Sequence, residues 1–194
     1  MKHLFGERAE QAERYHDCLL NEGIEWGLIG PKEGPRLWER HILNSLPVAA
    51  LIPEGASVCD IGSGAGLPGI PLALARPDCQ VTLVEPLARR TSFLELVASR
   101  LELPNLTIVR SKAENHRGSY SVVTARAVAP LPRLVKWSWH LIAPGGALLA
   151  IKGSNAQEEL DEAREALEEV GALSYALAHP EFAGVLGTVI KVAK

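Results

Sequence analysis

The sequence predicts an α/β protein with a mostly parallel seven-stranded sheet, an antiparallel C-terminal hairpin and a small N-terminal helical extension. Three observations carry this expectation. From residue 56 onward, short apolar runs alternate with amphipathic segments at helical spacing, the pattern of parallel strands joined by crossover helices. The first of these runs ends in a glycine-dense turn holding Gly62, Gly64, Gly66 and Gly69. The last two strand-like runs have no helix between them, so they should pair as a hairpin.

Along the chain, residues 7–22 read as a helix with Ala12, Tyr15 and Leu19 on one face and Gly23 as its stop. The loop GLIGPKEGP (27–35) leads to RLWERHILNSL (36–46), where Trp38, Ile42 and Leu46 recur at helical spacing. Pro53 and Gly55 mark the join to the sheet, which divides the chain into a helical extension at 1–50 and a sheet domain at 51–194. Strand 56–61 precedes helix 69–76, and strand 80–85 precedes a helix over 86–101. That helix opens on Pro86, which suits a first turn, and buries Leu87, Leu94, Val97 and Leu101. Strands follow at 106–111 and 120–126, then helix 131–142, a Pro-Gly-Gly turn, strand 147–152 and helix 156–170. Strands at 173–178 and 185–192 close the chain, giving five βα units and the hairpin. Right-handed crossovers place any ligand at the carboxyl ends of the strands, near the point where their order reverses.

The 194 residues are 47 % hydrophobic, enough for one domain with a real core. Twenty-three acids against twenty bases exclude nucleic-acid binding through global charge and leave room only for a local basic footprint. Cys18, Cys59 and Cys79 are few, odd in number and widely spaced, which suits a reducing cytosol and forms neither a disulfide ladder nor a metal pair. The six histidines lack ligand spacing, and no run reaches the ~18–20 apolar residues of a membrane span. The N-terminus has no apolar stretch like that of a signal peptide. A soluble, cytoplasmic, metal-free monomer is the expectation.

Read literally, Gly64–Gly69 is GxGxxG, a dinucleotide fingerprint that is weak alone. Asp60 lies just inside the preceding strand, and Glu85 lies about 20 residues further on, where an acid can bind ribose hydroxyls. A carboxylate at Asp60 disfavours a pyrophosphate and suits a ligand with an ammonium group. S-adenosylmethionine carries an ammonium, a carboxylate, a ribose and an adenine. Its carboxylate would rest on the N–H groups of the glycine turn.

DIGSGAGLPGIPLA, VEPLARRTSFLE, SKAEN, VVTARAVAPL and LLAIKG together resemble the small-subunit ribosomal RNA guanine-N7 methyltransferases, also known as the glucose-inhibited division protein B family. The resemblance spans residues 36–152, and LWERHILNSL matches the family's upstream helix. It implies a Rossmann-like S-adenosylmethionine-dependent methyltransferase fold and methylation of one guanine N7 in the decoding region of 16S rRNA. By resemblance, Gly62 and Leu67 line the cofactor, Ala113 and Glu114 lie at its adenine, and Arg126 closes the pocket after the fourth strand. Two departures stand out. GLIGPKEGP replaces an asparagine-leucine-threonine stretch that many members carry, and the C-terminal hairpin has little distinctive sequence.

On residue type alone, Glu114 is a solvated loop acid, Arg126 a strand-end arginine reaching for solvent, and His41 a structural histidine. Guanine N7 carries a lone pair and no proton, so the absence of a Ser-His or Cys-His arrangement is expected and no catalytic base is assigned. Arg126 and Lys152, both at strand ends, would orient carbonyl or phosphate groups. Local RNA contacts would come from Arg36, Arg40 and Arg133, with Arg89, Arg90 and Lys136 around the rim. Three alternatives stay open on sequence: an NAD-dependent oxidoreductase, a methyltransferase acting on a small molecule or protein, and a non-enzymatic RNA-binding protein.

Overall fold

The computed structural model describes residues 2–194. Its main sheet contains β1 (Ser57–Ile61), β2 (Gln80–Val84), β3 (Leu106–Val109), β4 (Tyr120–Arg126), β5 (Ile142–Ile151), β6 (Ser174–Ala178) and β9 (Val189–Ala193). A separate two-stranded ribbon is formed by β7 (Glu181–Phe182) and β8 (Val185–Leu186). The main sheet runs in the order β3-β2-β1-β4-β5-β9-β6. It is parallel from β3 to β5, and β9 is antiparallel to both β5 and β6. The strand order reverses between β1 and β4, so the crevice expected for a ligand opens beyond Ile61 and Arg126.

Both faces of the sheet are buried, which explains why its strands read as continuous apolar runs. Successive side chains point to opposite faces. Val58, Val81 and Leu83 therefore join one apolar layer, while Cys59, Ile61 and Val84 join the other. Helices α3 (Gly69–Ala75) and α4 (Ala88–Leu101) cover the first layer through Ile70, Leu74, Phe93 and Val97. The N-terminal helices α1 (Lys2–Phe5) and α2 (Ala9–Cys18) share this layer through Phe5, Tyr15 and Cys18. Helices α5 (Leu131–Ser138), α6 (Ala156–Glu162) and α7 (Arg164–Glu169) cover the second through Leu134, Leu160 and Leu167.

The structure corrects several sequence expectations. Only a 3₁₀ turn at Ala113–Asn115 lies between β3 and β4, so there are four βα units instead of five. The polar segment SKAENHRGS has no apolar stripe with which to build a helix. Residues 36–46 are wound as a π-helical stretch, Leu37–Ile42, followed by a 3₁₀ turn, Leu43–Ser45, and then Pro47. Helix 156–170 breaks at Ala163 into α6 and α7. The expected strand 185–192 is divided, because β8 pairs with β7 while β9 starts only at Val189. At the division, Gly187 packs so closely on Pro47 that an added Cβ would lie 2.6 Å from the proline ring.

Candidate active site at the reversal of strand order

The glycine turn is tied down from several directions. Gly62 N–H donates to Val84 O at 2.8 Å, Gly66 N–H to Ser63 O at 2.7 Å, and Leu67 N–H to Ser63 O at 3.0 Å. Gly64 N–H donates to Glu85 Oε2 at 2.9 Å, and Leu87 N–H to Glu85 Oε1 at 3.0 Å. Glu85 is only 1 % exposed and so braces the turn from beneath the end of β2. These N–H groups are engaged inside the turn rather than facing outward together, as the sequence reading had them. From α2, the buried Tyr15 hydroxyl donates to Ala65 O at 2.9 Å. The helical spacing predicts the buried face that carries Tyr15 but not this contact, which joins residues fifty positions apart.

Asp60 is fully buried at the end of β1. Its Oδ2 accepts the Gly69 N–H at 3.1 Å, meeting an otherwise unpaired donor at the start of α3. Its Oδ1 accepts no hydrogen bond. Burial pushes the Asp60 carboxyl up to about 7, with nearby Glu85 adding to the rise. The nearby Ser63 hydroxyl, which donates to the Asp60 main-chain carbonyl at 2.9 Å, the Gly69 N–H and the charge of Arg126 pull in the opposite direction. The turn therefore holds a buried carboxylate oxygen without a partner, in a place that favours a cation.

Arg126 is the last residue of β4, the strand paired with β1 across the reversal of strand order. Its guanidinium donates to His41 O at 2.7 Å, Ser45 Oγ at 2.9 Å and Arg40 O at 3.0 Å. It thus ties the end of β4 to carbonyls of the upstream helix. His41 is held in turn by Glu33, 2.8 Å from its Nε2, as a structural histidine would be. Arg126→Ala should remove all three of these hydrogen bonds, while Ser45 Oγ keeps its own bond to His41 O at 2.7 Å, and cost about 2 kcal/mol of stability. Thermal unfolding with and without ligand checks this; an unchanged melting temperature would show that the tether carries no load.

Beyond β4 and β5 lies a cavity of about 880 Å³, lined by Asn44, Pro47, Val48, Arg126–Pro130, Ile151–Ser154, Glu159, Glu162 and Leu186–Val189. Its wall residue Val128 would lie 2.7 Å from a Cβ added at Gly62, so the cavity and the glycine turn share a partition. Lys152 stands in the cavity with Nζ 2.6 Å from Glu159 Oε1. Val128 and Glu159 also line this cavity, and sequence reasoning singled out neither. Glu159 sits on the polar face of a surface helix, and nothing local distinguishes it from its acidic neighbours.

The remaining expected residues are more scattered. Leu67 is half-buried in the turn, and Ala113 is half-buried in the 3₁₀ turn beyond β3, on the same edge of the sheet as Gly62 and Glu85. Glu114 is exposed beside it. Arg36 and Arg40 are exposed on the upstream segment, where Arg40 pairs with Glu33 at 3.1 Å. Arg133 is exposed on α5 with its guanidinium 5.7 Å from the centre of Trp137. Lys136 pairs with Glu169 at 2.7 Å, and Arg90 lies 3.8 Å from Glu85. The structure brings Asp60, Gly62, Gly64, Gly66, Glu85 and Arg126 together and leaves Arg36, Arg40 and Arg133 apart on the surface.

A glycine turn after β1, an acid at the end of β2, and β9 inserted antiparallel between β5 and β6 define a Rossmann-like methyltransferase fold. Solved structures share it: a SAM-dependent methyltransferase from Aquifex aeolicus superposes with a TM-score of 0.59 at 16 % identity, over 78 % of this chain and 91 % of that one. TYW2 from P. horikoshii, solved with MeSAdo, gives a TM-score of 0.61 at 13 % identity, over 79 % and 62 %. The family model described as rRNA small subunit methyltransferase G matches residues 8–180, and the chain belongs to that family. The Ribosomal RNA small subunit methyltransferase G of Streptomyces avermitilis is 50 % identical, covering 98 % of this chain and 82 % of the relative. That of Rhodococcus jostii is 53 % identical over 88 % and 77 %. The family match sets aside the NAD-dependent oxidoreductase.

Proposed function

We propose that this chain transfers the methyl group of S-adenosylmethionine to N7 of a guanine in the decoding region of 16S rRNA, in the cytoplasm. The observation that carries the reading is the partition between Gly62 and Val128, which sets an acceptor-sized cavity directly against the glycine turn.

The residues present fit the cofactor. The buried, unpaired Asp60 Oδ1 matches an ammonium group. Each Glu85 oxygen already holds one main-chain N–H and keeps a second lone pair for a ribose hydroxyl. Gly62, Gly64, Gly66 and Leu67 would line the ligand, with Ala113 and Glu114 toward its adenine. When bound, S-adenosylmethionine supplies a methyl carbon on a sulfonium whose departure as a neutral thioether needs no acid.

The chain's own task is then alignment. N7 brings a lone pair and no proton, so no side chain has to take one. Holding the two reactants in register contributes up to ~7–11 kcal/mol to such a reaction. Positive charge collects on the purine as the bond forms, so bare cations beside it would oppose the step. Arg126 is spread over carbonyl groups, and Lys152 is neutralised by Glu159, which satisfies that requirement. Arg36, Arg40 and Arg133, exposed outside the cavity, would supply phosphate contacts, so a folded ribosomal particle is the fitting substrate for a chain of net charge −3.

Mapping N7-methylguanosine in 16S rRNA from cells with and without the gene tests the reading. One modified guanine should disappear on deletion and return with the wild-type gene. An unaltered N7-methylguanosine map would overturn it.

A further inference from the structure

We infer that Lys152 and Glu159 form a base-reading pair, with Lys152 donating to O6 of the acceptor guanine and Glu159 accepting from its N1–H; the inference rests on the function proposed above. Both groups line the cavity and both are largely shielded, with side chains 11 % and 23 % exposed. Their positions are fixed by more than each other. Glu159 Oε1 accepts the Leu131 N–H at 2.7 Å as well as Lys152 Nζ at 2.6 Å, and Nζ also reaches Ala129 O at 3.3 Å. Two groups remain uncommitted among the described residues: the third Nζ proton and the oxygen Oε2, which is not sealed from solvent.

A donor and an acceptor therefore stand side by side on a rigid wall. Guanine presents the complementary order at adjacent positions, the O6 acceptor beside the N1–H donor. Adenine presents the reverse, an N6–H donor beside the N1 acceptor, and would set donor against donor. A base taken out of its stack is read in this way, along its Watson–Crick edge.

The pair also answers an electrostatic difficulty. O6 is next to N7, so an uncompensated ammonium there would oppose the charge that methylation places on the ring. The Glu159 carboxylate cancels that field and makes the site unattractive to a phosphate. The same feature separates this reading from a general phosphate-binding lysine.

The test uses ribosomal small subunits from cells lacking the gene, tritiated S-adenosylmethionine, and four mononucleotides as competitive inhibitors: GMP, IMP, AMP and N1-methyl-GMP. Wild-type enzyme should be inhibited by GMP and IMP about equally. AMP and N1-methyl-GMP should be about ten- to a hundredfold weaker, the range of a good paired base contact. E159Q keeps an oxygen for Leu131 and Lys152 but turns the open position into a donor, so it should level GMP with N1-methyl-GMP. K152M should lower the preference for GMP over AMP through loss of the O6 contact. Both variants should bind S-adenosylhomocysteine with wild-type affinity, which shows that they are folded. A pair that merely anchored α6 would lower the rate and leave the order of inhibitors unchanged, and that result overturns the inference. Equal inhibition of the wild-type enzyme by GMP and AMP, or no inhibition by any of the four, overturns it too. If wild-type enzyme methylates no small subunit, the proposed function fails first. If it does methylate them and E159Q keeps its preference for GMP, only the base-reading pair falls.

Discussion

Asp60→Asn should weaken S-adenosylmethionine binding by on the order of a hundredfold at neutral pH, the usual consequence of removing one member of a desolvated charge pair. The variant keeps an amide oxygen for the Gly69 N–H, so α3 retains its first hydrogen bond and the fold survives. What disappears is the anionic oxygen now buried without a partner. The wild-type protein should show a matching pH dependence. With its carboxyl raised to about 7, chiefly by burial, the empty protein holds a proton on Asp60 below that pH. A bound ammonium favours the ionised form, so binding below pH 7 expels the proton. Affinity should therefore rise by up to about tenfold per pH unit on approach to neutrality and level off above it. Isothermal titration across this range, in two buffers of different ionisation heat, reads both the slope and the released proton. A flat profile in the wild-type protein, or an Asp60→Asn variant that binds normally, would remove the ammonium from this site.

The same carboxyl has a consequence for stability, with the opposite sign from an ordinary paired aspartate. Its folded value lies above the unfolded value of 3.8, so the native state binds the extra proton. The contribution of Asp60 to stability is greatest below about pH 4, declines as pH rises toward about 7, and is constant above. The difference in melting temperature between wild-type protein and Asp60→Asn should thus shift in favour of the variant over that interval. No such shift would mean that the buried carboxyl titrates near its ordinary value.

Much of this was legible in the residues. The sheet could be read because both of its faces are buried and its strands are runs such as SVCDI and QVTLV, set apart by Gly and Pro. Asp60 and Glu85 could be placed at strand ends by counting from the glycine turn. Long-range pairing could not be read in this way. Tyr15 reaches Ala65, Arg126 reaches back to Arg40 and His41, and Glu159 reaches Lys152 and Leu131, all through side chains of common type at unremarkable positions. The divided C-terminal hairpin was hidden for a related reason. Gly187 looks like an ordinary strand glycine until Pro47 is seen packed against it.

The glycines of the turn, which look equivalent in sequence, should separate into two kinds on substitution. At Gly66 the backbone has φ of +96°, and an added Cβ would lie 2.3 Å from Ile70 Cδ1 and 3.2 Å from the Tyr15 hydroxyl. Ile70 is fully buried and has no room to give. Backbone strain of about 1–2 kcal/mol and overpacking of about 1–3 kcal/mol should together make Gly66→Ala one of the most destabilising single changes in the chain. Gly64 has φ of +59°, but its Cβ would meet nothing closer than Gly62 O at 3.8 Å. Gly64→Ala should therefore cost only about 1 kcal/mol of stability. Its methyl group would instead stand in the open space above the turn, where the proposed function sets the ligand's amino-acid end. Binding of S-adenosylhomocysteine should fall at least tenfold in Gly64→Ala while its unfolding curve stays close to wild type, and Gly66→Ala should show the large loss in unfolding. Chemical denaturation and equilibrium dialysis on the two variants measure both quantities. If Gly64→Ala binds normally, the open side of the turn is not where the cofactor lies, and the assignment of this crevice fails with it.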